Sequence, residues 1–437
     1  LKSDGSVITW GNSVYGGDSS SISSKLVKNI NSISSSFAAF AAIKSDGSVV
    51  TWGFSSYGGD SSSISSDLTS NVQQVFSNVK AFAALKSDGS VVTWGDSSYG
   101  GDSSSVKTGI TNNISKIFST DSAFAALKND GSVITWGDSK NGGDSSSVTS
   151  ELNSDIKTIF ANMYSFAALK SDGSVITWGN SDYGGDSSSV TSKLKSNVLK
   201  VISTYDAFAA LKSDGSVITW GNSLYGGDSS SIASQISNDV ETVFSNGSAF
   251  AALKSDGSVV TWGHSSYGGD SSVVSDLLNN VTEIYSTKPA FAALKSDGSV
   301  VTWGDSNYGG DSSSVASQLL NNVKSITSNG EAFAALKSDG SVITWGKSAR
   351  GGDSTSIKNK YLQNRVVGFS DIQTDDWRNQ SPKDILLSAT SFDENITAST
   401  IVSALSSMDD DSSDTHTYSL VTGSGDTDNN SFMINGS

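Results

Sequence analysis

The sequence predicts a mainly β fold: a β-propeller-like ring or array of about nine 42-residue repeats, each a short helix plus three strands, then a partial β-sandwich. Three observations predict it. The stretch Phe-Ala-Ala-Leu-Lys-Ser-Asp-Gly-Ser-Val-Val/Ile-Thr-Trp-Gly recurs along the chain, with a clean copy from Phe82 to Gly95. The tryptophans that close the copies (Trp10, Trp52, Trp94, Trp136, Trp178, Trp220, Trp262, Trp303 and Trp345) are 42 residues apart, with one step of 41. A fixed period of this size marks propellers, solenoids or arrays. Finally, the apolar residues of the hairpin fall on both faces of its strands, as in a sheet covered on both sides.

Within one repeat, Asp-Gly between two apolar runs predicts a hairpin turn at Ser87-Asp88-Gly89-Ser90, since Gly takes positive φ without a Cβ clash. Phe208 and Ala210 share one face of their strand and Ala209 and Leu211 the other. After the Trp comes Gly-x-Ser-x-Tyr-Gly-Gly-Asp-Ser-Ser-Ser. The Gly pair predicts a sharp reversal, and the Asp (Asp60, Asp102, Asp186) stands where a helix would be capped. Apolar residues four apart follow: Ile64, Leu68, Val72; Val106, Ile110, Ile114; Val148, Leu152, Ile156. That spacing predicts a two-turn helix with one buried face, too short to persist without neighbours. A third strand, Val72-Gln73-Gln74-Val75-Phe76, leads through a short variable loop into the next hairpin.

These residues resemble the regulator-of-chromosome-condensation repeat family, through Ala-Leu-Lys-x-Asp-Gly-x-Val-x-x-Trp-Gly and the Tyr-Gly turn after it. The likeness is closer to the compact bacterial members, including the β-lactamase-inhibitor propellers with three-stranded blades. It covers residues 1–369 and implies a β-propeller. The family often closes its loop with Gly-Gln, whereas this chain has Gly-Gly-Asp and an extra helix. The first hairpin lacks a helix and strand before it, and the last helix and strand (Ile357 to Phe369) lack a hairpin, so pairing the two would close a ring.

The period is lost from about Thr374. Residues 370–383 read as a linker, with Asp375-Asp376-Trp377-Arg378-Asn379-Gln380-Ser381-Pro382 at its centre. A new strand pattern begins at Asp384-Ile385-Leu386-Leu387. Residues 384–437 resemble part of a bacterial cadherin-like repeat, through Asp393-Glu394-Asn395, Asp409-Asp410-Asp411, Tyr418-Ser419-Leu420-Val421 and Phe432-Met433-Ile434. The resemblance implies Ca²⁺ ligation by Glu394, Asp409 and Asp411. Ca²⁺ wants six to eight oxygens, so three carboxylates would need further ligands.

Composition excludes several classes. The formal net charge of −16 argues against a nucleic-acid or anionic-membrane surface. Cysteine is absent, which excludes disulfides and thiolate metal sites. No apolar run reaches the ~20 residues of a membrane span. Only two histidines occur, His264 and His416, and no repeat combines one with the abundant Ser and Asp as a nucleophile needs. Paired carboxylates such as Asp138 and Asp144 recur by repetition, which fits scaffold duty better than acid–base work. The chain is therefore expected not to be an enzyme.

Function on a repeat scaffold usually lives in the loops. The position after Trp-Gly varies, through Phe54, Asp96, His264 and Lys347, and so does the loop before Phe, as in Asn78-Val79-Lys80, Thr120-Asp121-Ser122, Thr204-Tyr205-Asp206 and Thr287-Lys288-Pro289. Seven copies carry a loop tyrosine, among them Tyr57, Tyr99, Tyr183, Tyr225, Tyr267 and Tyr308; Asn141 and Arg350 replace it elsewhere. Phe54, Asp96, His264, Lys347 and those six tyrosines are the ten candidate partner-binding residues, with the variable loops beside them. The expected role is an extracellular or cell-surface interaction or adhesion scaffold whose partner is a protein or polysaccharide. An inhibitor-like protein-binding module and a carbohydrate-binding accessory of a larger enzyme are the alternatives.

Overall fold

The computed structural model describes residues 1, 2 and 4–356, then Leu362, Val366, Gly368, Phe369 and the strands Asp384–Leu387 and Leu405–Met408. Two compact units divide the chain, Leu1–Arg378 and Asn379–Ser437. In the second unit the two described strands pair antiparallel.

The first unit holds eight three-stranded antiparallel sheets among the described residues, spanning 30–53, 72–95, 114–137, 156–179, 198–221, 240–263, 281–304 and 323–346. The strands of each sheet are paired in chain order, with a bulge near the start of the first strand. The fold is thus mainly β, a propeller-like array of repeats.

Alternation in the middle strand explains how sheets stack. Phe82 and Ala84, with Trp94 from the last strand, pack on Ala39, Ala41 and Ile43 of the preceding sheet. The opposite face, Ala81, Ala83 and Leu85, receives Phe124, Ala126 and Trp136 of the following sheet. Each sheet therefore offers a bulky aromatic face to the small, alanine-rich face of its neighbour, the shape match a close-packed interior requires. Phe82 lies directly opposite Trp94, and their rings stack at 5.1 Å.

Two further contacts tie each repeat to the one before. The Trp94 indole Nε1 donates to the Gly58 carbonyl, 3.0 Å away and 36 residues earlier. Trp52, Trp136, Trp178, Trp220, Trp262, Trp303 and Trp345 make the same bond. Gly58 is left-handed (φ 95°), and a Cβ there would lie 2.4 Å from the Phe82 ring. At the hairpin end, the Gly89 N–H bonds the Lys86 carbonyl and the Lys86 N–H bonds the Ser90 carbonyl, so three residues form the loop. The Asp88 carboxylate accepts from both the Ser90 amide and hydroxyl. These bonds hold it below the usual carboxylate range. The Gly89 carbonyl then accepts the Ile114 N–H of the next repeat at 3.1 Å.

Three expectations meet the structure in different ways. The two-turn α-helix is instead a 3-10 segment of three to seven residues, as in Ser104–Val106 and Ser62–Leu68. Serine explains the difference. Ser61 stands at the cap position but makes no cap bond, because its hydroxyl is engaged by Thr51 of the last strand at 2.9 Å. Asp60 accepts instead from the Ser62 amide two residues on, an Asx turn rather than a helix cap. Leu68 and Val72 are nonetheless buried, at the positions the spacing marked.

The second concerns the repeats: of the about nine expected, eight form complete three-stranded sheets among the described residues. The first copy folds only as a turn, with the Ser6 amide on Asp4, and forms no described strand. Among the described residues no ring stacks on Trp10, which is 82% exposed. Of the final unit, Leu362 and Val366 are described; the Leu362 carbonyl accepts from Val342, and the Val366 amide donates to Gly340. Most of Ile357 to Phe369 lies outside the described residues. Third, the Gly-x-Ser-x-Tyr stretch, expected only as a loop, contains a 3-10 turn of its own, such as Ser97–Tyr99.

Replacing Gly58 by Ala should lower stability by about 1–3 kcal/mol, because the Phe82 ring would have to leave its stack on Trp94. Urea unfolding checks this, and a variant as stable as the parent refutes it.

Candidate interaction site

The variable loops and tyrosine turns lie together because one short polar residue per repeat binds them. Asn78 is 2% exposed. Its Oδ1 accepts from the Lys80 and Ala81 amides, and its Nδ2 donates to the Tyr99 carbonyl at 2.6 Å. Ser36, Thr120, Asn162, Thr204, Asn246, Thr287 and Asn329 make the matching bond to the residue at the tyrosine position. Sequence reasoning missed these anchors. A signal existed: Ser, Thr or Asn stands three residues before the middle strand of every sheet.

A second tie runs between repeats. The Phe37 amide bonds the Val79 carbonyl at 3.0 Å, and the series continues through Asp121, Met163, Tyr205, Gly247 and Lys288 to Gly330. Each of these bonds links the centre of one variable loop to the next. Among the described residues, no hydrogen bond joins the two ends of this ladder. The loops therefore form one continuous edge, with a tyrosine turn hung beside each.

All ten candidate partner-binding residues stand on these turns, but their roles differ. Asp96 is a cap: its carboxylate accepts from the Ser98 amide at 2.9 Å. Asn12, Asp138, Asn180, Asn222 and Asp305 do the same. Phe54, His264 and Lys347 keep the cap backbone without a cap bond. All three lie against tyrosines instead. Phe54 meets Tyr57 edge-on at 4.9 Å. His264 stacks on Tyr267 at 4.3 Å, and its ring is 5.9 Å from Tyr225. The Lys347 ammonium lies 4.8 Å from the Tyr308 ring centre and pairs with Glu331 at 2.6 Å. That pairing lowers the Glu331 pKa and raises that of Lys347.

In the variable loop before Phe82, the Lys80 ammonium sits 5.1 Å from the Tyr57 ring centre and 4.3 Å from that of Tyr99. Tyr183 meets Tyr164 of the variable loop at 4.6 Å. Burial, and then the charges of Asp206 and Asp121, raise the Tyr164 phenol above its usual pKa. Among the described residues, no group of three His, Cys, Asp or Glu could hold a metal ion. Glu394, Asp409 and Asp411 lie outside the described residues. No helix among the described residues is long and apolar enough to cross a membrane.

Comparison with protein-family models finds no match. No curated protein matches either. Solved structures do resemble the fold. Prp20p from Saccharomyces cerevisiae is 18% identical, over 51% of this chain and 69% of that one, with a TM-score of 0.32. Human WBSCR16 is 17% identical, over 82% and 88%, at 0.34. BamB from Moraxella catarrhalis is 11% identical, over 71% and 92%, at 0.28.

Restoring the missing cap by His264→Asp should raise stability by about 0.5–1 kcal/mol, since the backbone there already has the cap conformation. Thermal unfolding checks it; a less stable variant would mean that the imidazole–tyrosine stack outweighs a cap.

Proposed function

We propose that the chain is a non-catalytic interaction scaffold that binds a protein partner along the edge formed by its variable loops and tyrosine turns. One observation carries the reading. The main-chain frame of that edge repeats from sheet to sheet, through the Asn/Thr/Ser anchors and the loop ladder, while the side chains on it change. A fixed frame with variable side chains is how repeat scaffolds address specific surfaces. Half-buried tyrosines with polar hydroxyls are favoured interface residues. Stacking on sugars needs open ring faces, and Phe54, Lys80, His264 and Lys347 already lie against several of them, which favours a protein over a polysaccharide.

Panning a displayed peptide library against the immobilised chain tests this. Recovered peptides should lose binding to a Tyr57→Ser, Tyr99→Ser, Tyr267→Ser variant and keep it to an Asp276→Lys variant on the 3-10 side of the sheets. The opposite pattern overturns the proposal.

The cadherin-like resemblance of residues 384–437 extends the proposal to adhesion at a cell surface or in an extracellular matrix, with Ca²⁺ held by Glu394, Asp409 and Asp411. Removing Ca²⁺ with a chelator should lower the melting temperature of the tail unit; an unchanged value counts against the metal.

A further inference from the structure

The seat between consecutive tyrosine turns is filled differently along the array. In the second sheet the Lys80 ammonium occupies it, over Tyr57 and Tyr99. Tyr99 above all, then Tyr57 and Asp96, favour its charged form and raise its pKa. Three repeats later the period aligns Asp206 with Lys80, Tyr183 with Tyr57 and Tyr225 with Tyr99. The backbone frame is the same. The Asp96 amide donates to the Lys80 carbonyl at 3.0 Å, and the Asn222 amide donates to the Asp206 carbonyl at 3.0 Å. The charge at the aligned position is reversed: aspartate stands where the other repeat has lysine.

The surroundings strengthen the reversal. Tyr164, from the preceding loop, adds its ring 4.6 Å from Tyr183. Asp121, Asp206, Tyr183 and Tyr225 all lie near enough to Tyr164 to disfavour a negative charge on its hydroxyl. Among the described residues, lysines stand over Tyr57, Tyr99, Phe118 and Tyr308, and over neither Tyr183 nor Tyr225. Tyrosine faces attract cations through the ring quadrupole. Carboxylates beside them add charge complementarity and repel anionic partners.

We infer that the notch formed by Tyr164, Tyr183, Tyr225 and Asp206 is a seat for a lysine or arginine side chain of the partner protein. This rests on the scaffold reading and names the chemistry of its partner. Lys80 shows, within the same molecule, that the frame accepts an ammonium between two such rings.

The test is fluorescence titration of the full chain with a labelled Gly-Lys-Gly peptide, at low and at physiological salt. Asp206→Lys should weaken binding ~tenfold or more by filling the seat from within, as Lys80 does in its own repeat. Asp276→Lys makes the same change of net charge far from the notch and should leave binding unchanged. Lys80→Asp should raise the stoichiometry from one peptide to two by opening a second seat. Equal losses in both lysine variants would show attraction to net charge alone and overturn the inference, as would an absence of saturable binding. Panned peptides that bind the tyrosine edge but ignore Asp206→Lys would overturn the cation seat and leave the scaffold reading standing.

Discussion

Each repeat depends on one bond to the repeat before it: the tryptophan indole N–H on a glycine carbonyl 36 residues earlier, or 35 at the one short step. The bond is buried, so leaving either partner unmatched would carry the full cost of a desolvated polar group. It also fixes its surroundings. The accepting glycine must be left-handed and must lack a Cβ, because the phenylalanine stacked on that tryptophan presses against it. The alanines must be small, because the aromatic pair of the next sheet lies on them. This is why aromatic, alanine and glycine positions scarcely vary between copies. Stability in such an array is close to a sum of neighbour terms, and every neighbour term here contains the same lock.

The single 41-residue step shows what the lock tolerates. The missing residue falls between Leu278 and Val281, just after the 3-10 segment Ser272–Leu277, where Ile236 to Val240 is one longer. The Trp303 bond to Gly268 is intact at 3.0 Å. Leu278 stays buried like Ile236 before it, and the exposed Val273 and Leu277 stand where Ser231 and Gln235 are exposed in the preceding repeat. Slack in the array therefore resides on the serine-rich side, and the strands keep their register.

On the loop edge, stability and surface chemistry separate. Most turns place Asn or Asp at the cap, where the side chain satisfies a backbone amide. Phe54, His264 and Lys347 give up that bond, and each lies on a tyrosine instead. Variation at this position thus has two meanings, which only the hydrogen bonds distinguish. Asp96, equally variable in the sequence, is a cap. Lys80, in the variable loop, is the residue that shows what the tyrosine pairs can hold.

The sequence alone determined the period, the hairpins, the glycine turns and the two-faced burial of the middle strand, because each follows from local pattern: Asp-Gly, alternation of Phe, Ala and Leu, and Trp at constant spacing. The strand at Asp384–Leu387 was legible for the same reason. Tertiary structure decided whatever depends on a partner distant in the chain. The serine-rich segment is 3-10 rather than α because Thr51 and its equivalents take the hydroxyl that would have capped it. The tyrosines became one edge through buried Asn and Thr anchors and a ladder of single bonds between loops, contacts at separations of 21 and about 42 residues that no local pattern encodes.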